Sequence, residues 1–254
     1  MEWIYISPHL DDVALSLGGL VWEQSKNGFE VSIWTICAGD PPDRELSPFA
    51  HSLHNRWDIG DEAIEGRRRE DINSCQVLGA DYYHFQIPDC IYRLSPKTGE
   101  HLYDSENDLW TQVHPDEKPL IEYISEIIAT KIGREVNIVC PLTLGNHVDH
   151  LLARQAIETT ITNEPKNHRW ELYYYADFPY VLEYKIPLKI PGYNQTIKTI
   201  SMEGLNAWQA SILEHQSQIS TFWSDPSEMR TVIQKYYDQM GGIWLGNKQK
   251  TCSF

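Results

Sequence analysis

Cysteine pairs, basic charge and long apolar runs are all missing from this chain, and each absence removes a class of function. No Cys-x-x-Cys occurs. The five cysteines, Cys37, Cys75, Cys90, Cys140 and Cys252, are odd in number and scattered, which argues against a disulfide scaffold or a zinc ribbon. Several lie in apolar runs, where cysteine serves as a small buried hydrophobe. Lys and Arg number 21 against 36 Asp and Glu, a formal net charge of -15 at pH 7. Nucleic acids and anionic membranes need a basic face, so neither is expected as a partner. No apolar run approaches the roughly 20 residues of a membrane span. No basic segment leads into an apolar stretch at the N-terminus. The compartment expected is a reducing cytosol, and neutral or cationic small molecules remain as substrates.

What is present suits one sizeable core. Hydrophobic residues make up 41%, with 9 Trp and 14 Tyr among 254 residues, and the expectation is a single domain over 1–254. Apolar runs rich in β-branched or aromatic residues predict strands at 4–7, 31–37, 82–87, 136–142 and 170–180. Helical spacing predicts helices at 13–25, 64–79, 120–132 and 147–161. It also predicts one long helix whose face carries Leu205, Trp208, Ile212, His215, Ile219 and Phe222. Residues 186–200 suit a short strand pair. Alternating strands and helices predict an α/β fold, a Rossmann-like three-layer sandwich with a mostly parallel central sheet and extra C-terminal strands. Two polar stretches, 38–63 and 88–119, exceed ordinary connections and are expected to be binding loops or lids.

In such a sheet, ligands bind beyond the carboxyl ends of the strands, where the strand order reverses. The first strand runs into "SPHLDD", with His9, Asp11 and Asp12, and the fourth into "PLTLGNHVDH", with His147, Asp149 and His150. Two imidazoles and a carboxylate bind a divalent metal and leave a coordination position open. His9 and Asp12 lie three apart, as do His147 and His150, so one turn aims each pair at a point. The simplest triad is His9, Asp12 and His150, with Asp11 left as a free carboxylate. Each cluster alone has a plainer explanation. Asp11 or Asp12 would cap a helix, and Asn146 would cap another beside surface histidines. Their placement at two strand ends that should meet favours a site. A phosphate cradle is not supported, because acids stand where Gly-x-Gly-x-x-Gly would be needed.

With its later "HVDH", "SPHLDD…GG" resembles the PIG-L/LmbE-like N-deacetylases. The resemblance continues through "RRREDINSCQVLGAD", "PDCIYR", "YYYADFPY" and "EHQSQ". It implies a metal-dependent amidase, mostly zinc in this family, that removes acetyl from N-acetylglucosamine-type substrates. The implied roles are His9, Asp12 and His150 for the metal and Asp11 as general base towards metal-bound water. His147, protonated and favoured in that form by Asp149, would stabilise the oxyanion. Arg67 and Asp89 would bind substrate. A small N-acylated sugar would be the partner, and relatives often form rings, which implies a homo-oligomer. A His₂Asp set also accepts Fe²⁺, Co²⁺ or Ni²⁺. Leu10 and Val148 stand where the family usually or often has proline, and Ala176 where close relatives often carry an acid. Trp57, Tyr92, Tyr103 and Trp110 are candidates for a sugar-stacking surface. The rival function is a sugar- or nucleotide-binding α/β protein without chemistry.

Overall fold

The computed structural model describes residues 2–43, 45–57, 63–163 and 168–249. Its centre is β1 (Glu2–Ser7), buried from Ile4 to Ser7 on both faces. A strand covered on both faces must be apolar throughout, as central parallel strands are. β2 (Glu30–Thr35), β3 (Asp81–His84), β4 (Glu135–Pro141) and β5 (Arg169–Tyr175) run parallel to it. β6 (Tyr193–Lys198) and β7 (Ile243–Lys248) extend the sheet in antiparallel fashion. The order is β3-β2-β1-β4-β5-β7-β6. The chain therefore reverses direction across the sheet between β1 and β4, which is where the two His/Asp motifs leave their strands.

The helices are α1 (Asp12–Lys26), α2 (Pro48–Trp57), α3 (Ala63–Leu78), α4 (Lys118–Lys131) and α5 (Val148–Thr162), followed by α6 (Met202–Glu214), α7 (Gln216–Phe222) and α8 (Pro226–Met240). α1, α3 and α6 pack together in one group and α4 with α5 in another. Gly18 lets α1 approach α6. A Cβ there would stand 3.0 Å from both Ser211 Oγ and Trp208 Cδ1, closer than packed atoms tolerate without adjustment. Trp208 then donates from its indole N–H to Ala14 O at 2.7 Å, so the same contact is both packed and hydrogen-bonded. Among the described residues, no helix is long and apolar enough to cross a membrane.

Two sequence expectations change here. The long helix over 205–222 breaks at His215, whose ψ of 58° is non-helical. The apolar spacing continues through the break, so periodicity alone does not register it. The break swings α7 so that Gln218, Thr221 and Phe222 line the crevice at the end of β1. The strand pair over 186–200 is a single strand, β6. Its partner is β7, from the far end of the described chain, inserted between β5 and β6.

Candidate active site

The turn after β1 is organised by Ser7. Its Oγ donates to His9 O at 2.6 Å and accepts the Val13 N–H at 3.2 Å. Ser7 thus takes an N–H that a capping aspartate would otherwise bind. Asp11 occupies the N-cap position of α1 but makes no capping hydrogen bond. Its carboxylate lines the crevice, 3.6 Å from Arg67 Nη2. Asp12 accepts the His9 N–H at 2.7 Å.

Beyond β4 the loop passes through left-handed backbone at Thr143 (φ 64°) and Asn146 (φ 60°), uncommon for non-glycine residues and concentrated where function dictates shape. It sets His147 as the N-cap of α5, with Nδ1 accepting the Asp149 N–H at 3.2 Å. The ring proton then resides on Nε2. His150 follows one turn later, fully buried.

Both turns converge on Asp12. Its Oδ2 lies 3.2 Å from His9 Nδ1 and its Oδ1 3.3 Å from His150 Nε2. A carboxylate stands behind each imidazole: Asp149 Oδ2 is 3.1 Å from His9 Nε2, and Asp177 Oδ1 is 2.7 Å from His150 Nδ1. A ring whose outer nitrogen donates to a carboxylate presents a lone pair from the other, which is how metal-binding histidines are held. Apart from Asp12 Oδ1, the buried His150 Nε2 meets no hydrogen-bond partner among the described residues, as a nitrogen facing a metal would. The donor set fits a divalent cation. Ligand atoms of His9, His147 and His150 lie within 4.8 Å of one another, as do those of Cys90, His147 and Asp149 and those of His9, Asp89 and Asp149. Both Asp149 oxygens, however, are already engaged by Arg93, His9 and the Cys90 N–H.

The family model described as "PIG-L: GlcNAc-PI de-N-acetylase" matches residues 4–161, which include both turns. The chain belongs to the PIG-L family. Its activity class is that of an N-deacetylase. A 2'-N-acetylparomamine deacetylase of Niallia circulans is 25% identical over 243 residues, 90% of this chain and 84% of that protein. One of Streptomyces fradiae is 27% identical over 163 residues, 62% of this chain and 51% of that protein. Among solved structures, the zinc-inhibited form of a teicoplanin deacetylase superposes with a TM-score of 0.82 at 22% identity. That match covers 99% of this chain and 100% of that one, a likeness of fold.

Charge in the PIG-L site is far from balanced by protein groups alone. Burial works to raise Asp12, but His150 and His9 outweigh it and hold the carboxyl well below its usual range. Burial opposes a charged His150, yet Asp12 and Asp177 push it up to about 9. His9 is likewise pushed up, by Asp12, Asp149 and Asp89 against burial. These acids demand positive charge, and a divalent cation meets the same demand in place of two protons. Asp11 behaves differently: burial raises it to about 6, with Arg67 pulling the other way and Asp12 adding to the rise.

The Asp149 carboxylate lies near His147 but makes its short contacts elsewhere. It faces His9 and, at 2.5 Å, Arg93 Nη1, and only its backbone N–H serves His147. Burial and the neighbouring His9 hold His147 well below the usual histidine range, although Asp149 works to raise it as expected, and this direction favours a neutral ring with its proton on Nε2 over the expected imidazolium. Arg67 and Asp89 both line the crevice, and Asp89 Oδ2 is 3.7 Å from His9 Nε2. Asp177 escaped the sequence reading. The acid sought at 176 stands one residue later, and its neighbours Tyr175, Ala176 and Phe178 are all buried, so it reads as part of a strand end. Arg93 closes the "PDCIYR" stretch of the resemblance, but no role was expected of it.

Of the aromatic candidates, Tyr92 and Tyr103 are 2% exposed and belong to the interior. Trp110 is 40% exposed and sets its edge against His147 and Tyr180, at centroid distances of 5.2 and 5.6 Å. The side chain of Trp57 and all of Cys252 lie outside the described residues. The crevice holds about 250 Å³, at the small end for small-molecule pockets.

Proposed function

We propose that this protein is a zinc-dependent hydrolase that removes acetyl from the amine of a compact amino sugar. The observation that carries the reading is Asp11: a buried carboxylate committed to neither a helix cap nor the His9–Asp12–His150 set, yet beside both. A cation held by His9, Asp12 and His150 would supply Lewis acidity towards the amide carbonyl and towards water. Asp11 takes a proton from the attacking water as the C–O bond forms and returns it to the nitrogen as the C–N bond breaks. His147 donates from Nε2 to the carbonyl oxygen as that atom gains charge. Arg67 and Asp89, on the crevice wall, bind sugar hydroxyl or carbonyl oxygens. Trp110 offers a face to the ring.

Charge favours an amino sugar over a phosphorylated one. Asp11, Asp12, Asp89 and Glu106 line the crevice against Arg56 and Arg67, in a chain of net charge -15. The acetylated paromamine of the relatives' names fits that balance. Four free, buried cysteines support a reducing cytosol as the compartment.

The test is acetate release from 2'-N-acetylparomamine and simpler N-acetylated amino sugars by zinc-reconstituted protein. Turnover lost on chelation and restored by zinc supports the reading. No release from any of them, with metal bound, leaves the non-catalytic binding protein as the better account.

A further inference from the structure

The long stretch after β3 holds a buried ion pair that reaches the metal centre from behind. Arg93 follows the short 3-10 turn Cys90–Tyr92. Its side chain is 5% exposed. Nη1 donates to Pro88 O at 3.2 Å and forms an ion pair with Asp149 Oδ1, 2.5 Å away but outside hydrogen-bond geometry, while Nε donates to Glu117. The other Glu117 oxygen accepts the Tyr103 hydroxyl, whose oxygen in turn accepts the His114 N–H at 2.8 Å. A continuous chain thus runs from Tyr103 through Glu117, Arg93 and Asp149 to His9 and Asp12.

We propose that Arg93 is a positioning residue for metal binding: it pins Asp149 Oδ1 and so aims Oδ2 at His9 Nε2, which leaves His9 Nδ1 as the lone pair facing Asp12. This rests on the metal-centre reading above. The geometry explains why two anchors are needed. Asp149 sits on α5 and His9 on the turn after β1, and no covalent constraint links the carboxylate's rotation to the imidazole. The Cys90 N–H also binds Oδ2, at 3.0 Å, but a single oxygen held from one side leaves the carboxylate free to turn about its axis. With Oδ1 drawn to the guanidinium charge, the orientation that also turns Oδ2 to His9 is the favoured one. Glu117 fixes the guanidinium in the same way from its far side. Residues 88–119 then do more than cover the crevice: they set the imidazole that the metal meets. Partners in this outer layer commonly govern metal affinity 10- to 100-fold.

The rival explanation is that the pair simply fastens the loop to the sheet. Zinc affinity, measured by competition with a chromogenic chelator, separates the two in Arg93→Met, Asp149→Asn and the double variant. Positioning predicts a loss of about 10- to 100-fold in Arg93→Met and no further loss when Asp149 is already Asn. An Arg93→Met variant that melts cooperatively and binds zinc as the parent does would overturn the proposal. So would an equal loss in both backgrounds. If Arg93→Met does not fold, Arg93→Lys keeps the charge but not the fork, and parental affinity there overturns it equally. Ring ¹⁵N shifts in zinc-loaded protein give a second readout. His9 should carry its proton on Nε2 in the parent and lose that preference in Arg93→Met. Failure of the parent to bind any divalent ion would sink the metal-centre reading, whereas an unchanged His9 tautomer would sink the role of Arg93.

Discussion

The turn after β1 and the turn after β4 each bring an aspartate to the same crevice, and the two carboxylates end in opposite states. Burial dominates at Asp11, pushing it up to about 6 against the pull of Arg67, 3.6 Å away, and of His9, with Asp12 adding to the rise. Burial acts on Asp149 too, but Arg93 and His9 outweigh it and hold it well below the usual carboxylate range. Both groups are buried aspartates. What differs is how many donors meet each one and how closely. A carboxylate with two or three short contacts is a permanent anion, suited to holding other groups. One with a single loose contact is a base near neutral pH.

Substitutions at these turns test that difference. The largest effect is expected for Asp11→Asn. It should lower kcat by about 10²- to 10⁴-fold, the usual contribution of a positioned base, with zinc content by mass spectrometry unchanged. Near-full activity would erase the distinction between the two aspartates. Next comes His147→Ala, which removes the Nε2 donor while leaving the metal set intact. Loss of one such donor costs about 10²- to 10³-fold in kcat, and a change confined to KM would reassign His147 to binding. Asp177→Asn tests the carboxylate behind His150. It should weaken zinc binding by about 10- to 100-fold while kcat at saturating zinc changes little.

The smallest and sharpest effect concerns pH. Asp11 must be ionised to accept a proton, so kcat/KM should fall as pH drops through its pKa. Burial sets that pKa near 6, and a cation beside it can only lower it, so the acid limb should lie at or below about 6 and vanish in Asp11→Asn. Asp149, already depressed, contributes no limb in this range. A limb well above 6 that survives Asp11→Asn would assign the base elsewhere.

Much of this was legible in sequence, for identifiable reasons. β1, β2, β4 and β5 are central or nearly so and read as apolar runs. The two His/Asp motifs stand at strand ends, where a sharp change from apolar to acidic residues is conspicuous. By contrast, β7 is a short run near the C-terminus, paired with β5 and β6, neither adjacent to it in sequence. The break at His215 lies inside an unbroken apolar spacing. Asp177 is hidden among aromatics, and Arg93 is one arginine in a polar stretch. Residues such as these acquire meaning only through a partner distant in the chain.

The sequence by itself determined the residue types at the ends of β1 and β4, the order of strands that brings those ends together, and hence the chemistry available in the crevice. Only the tertiary structure decided which groups bind each of the other carboxylates and what frees Asp11 from capping. Asp149 is bound to His9, 140 residues away, and His150 to Asp177, 27 residues away, while Ser7 relieves Asp11 of its capping duty from within the same turn. The electrostatic state of a buried acid depends on the donors within a few ångströms of it, and folding, not adjacency in the chain, chooses those donors.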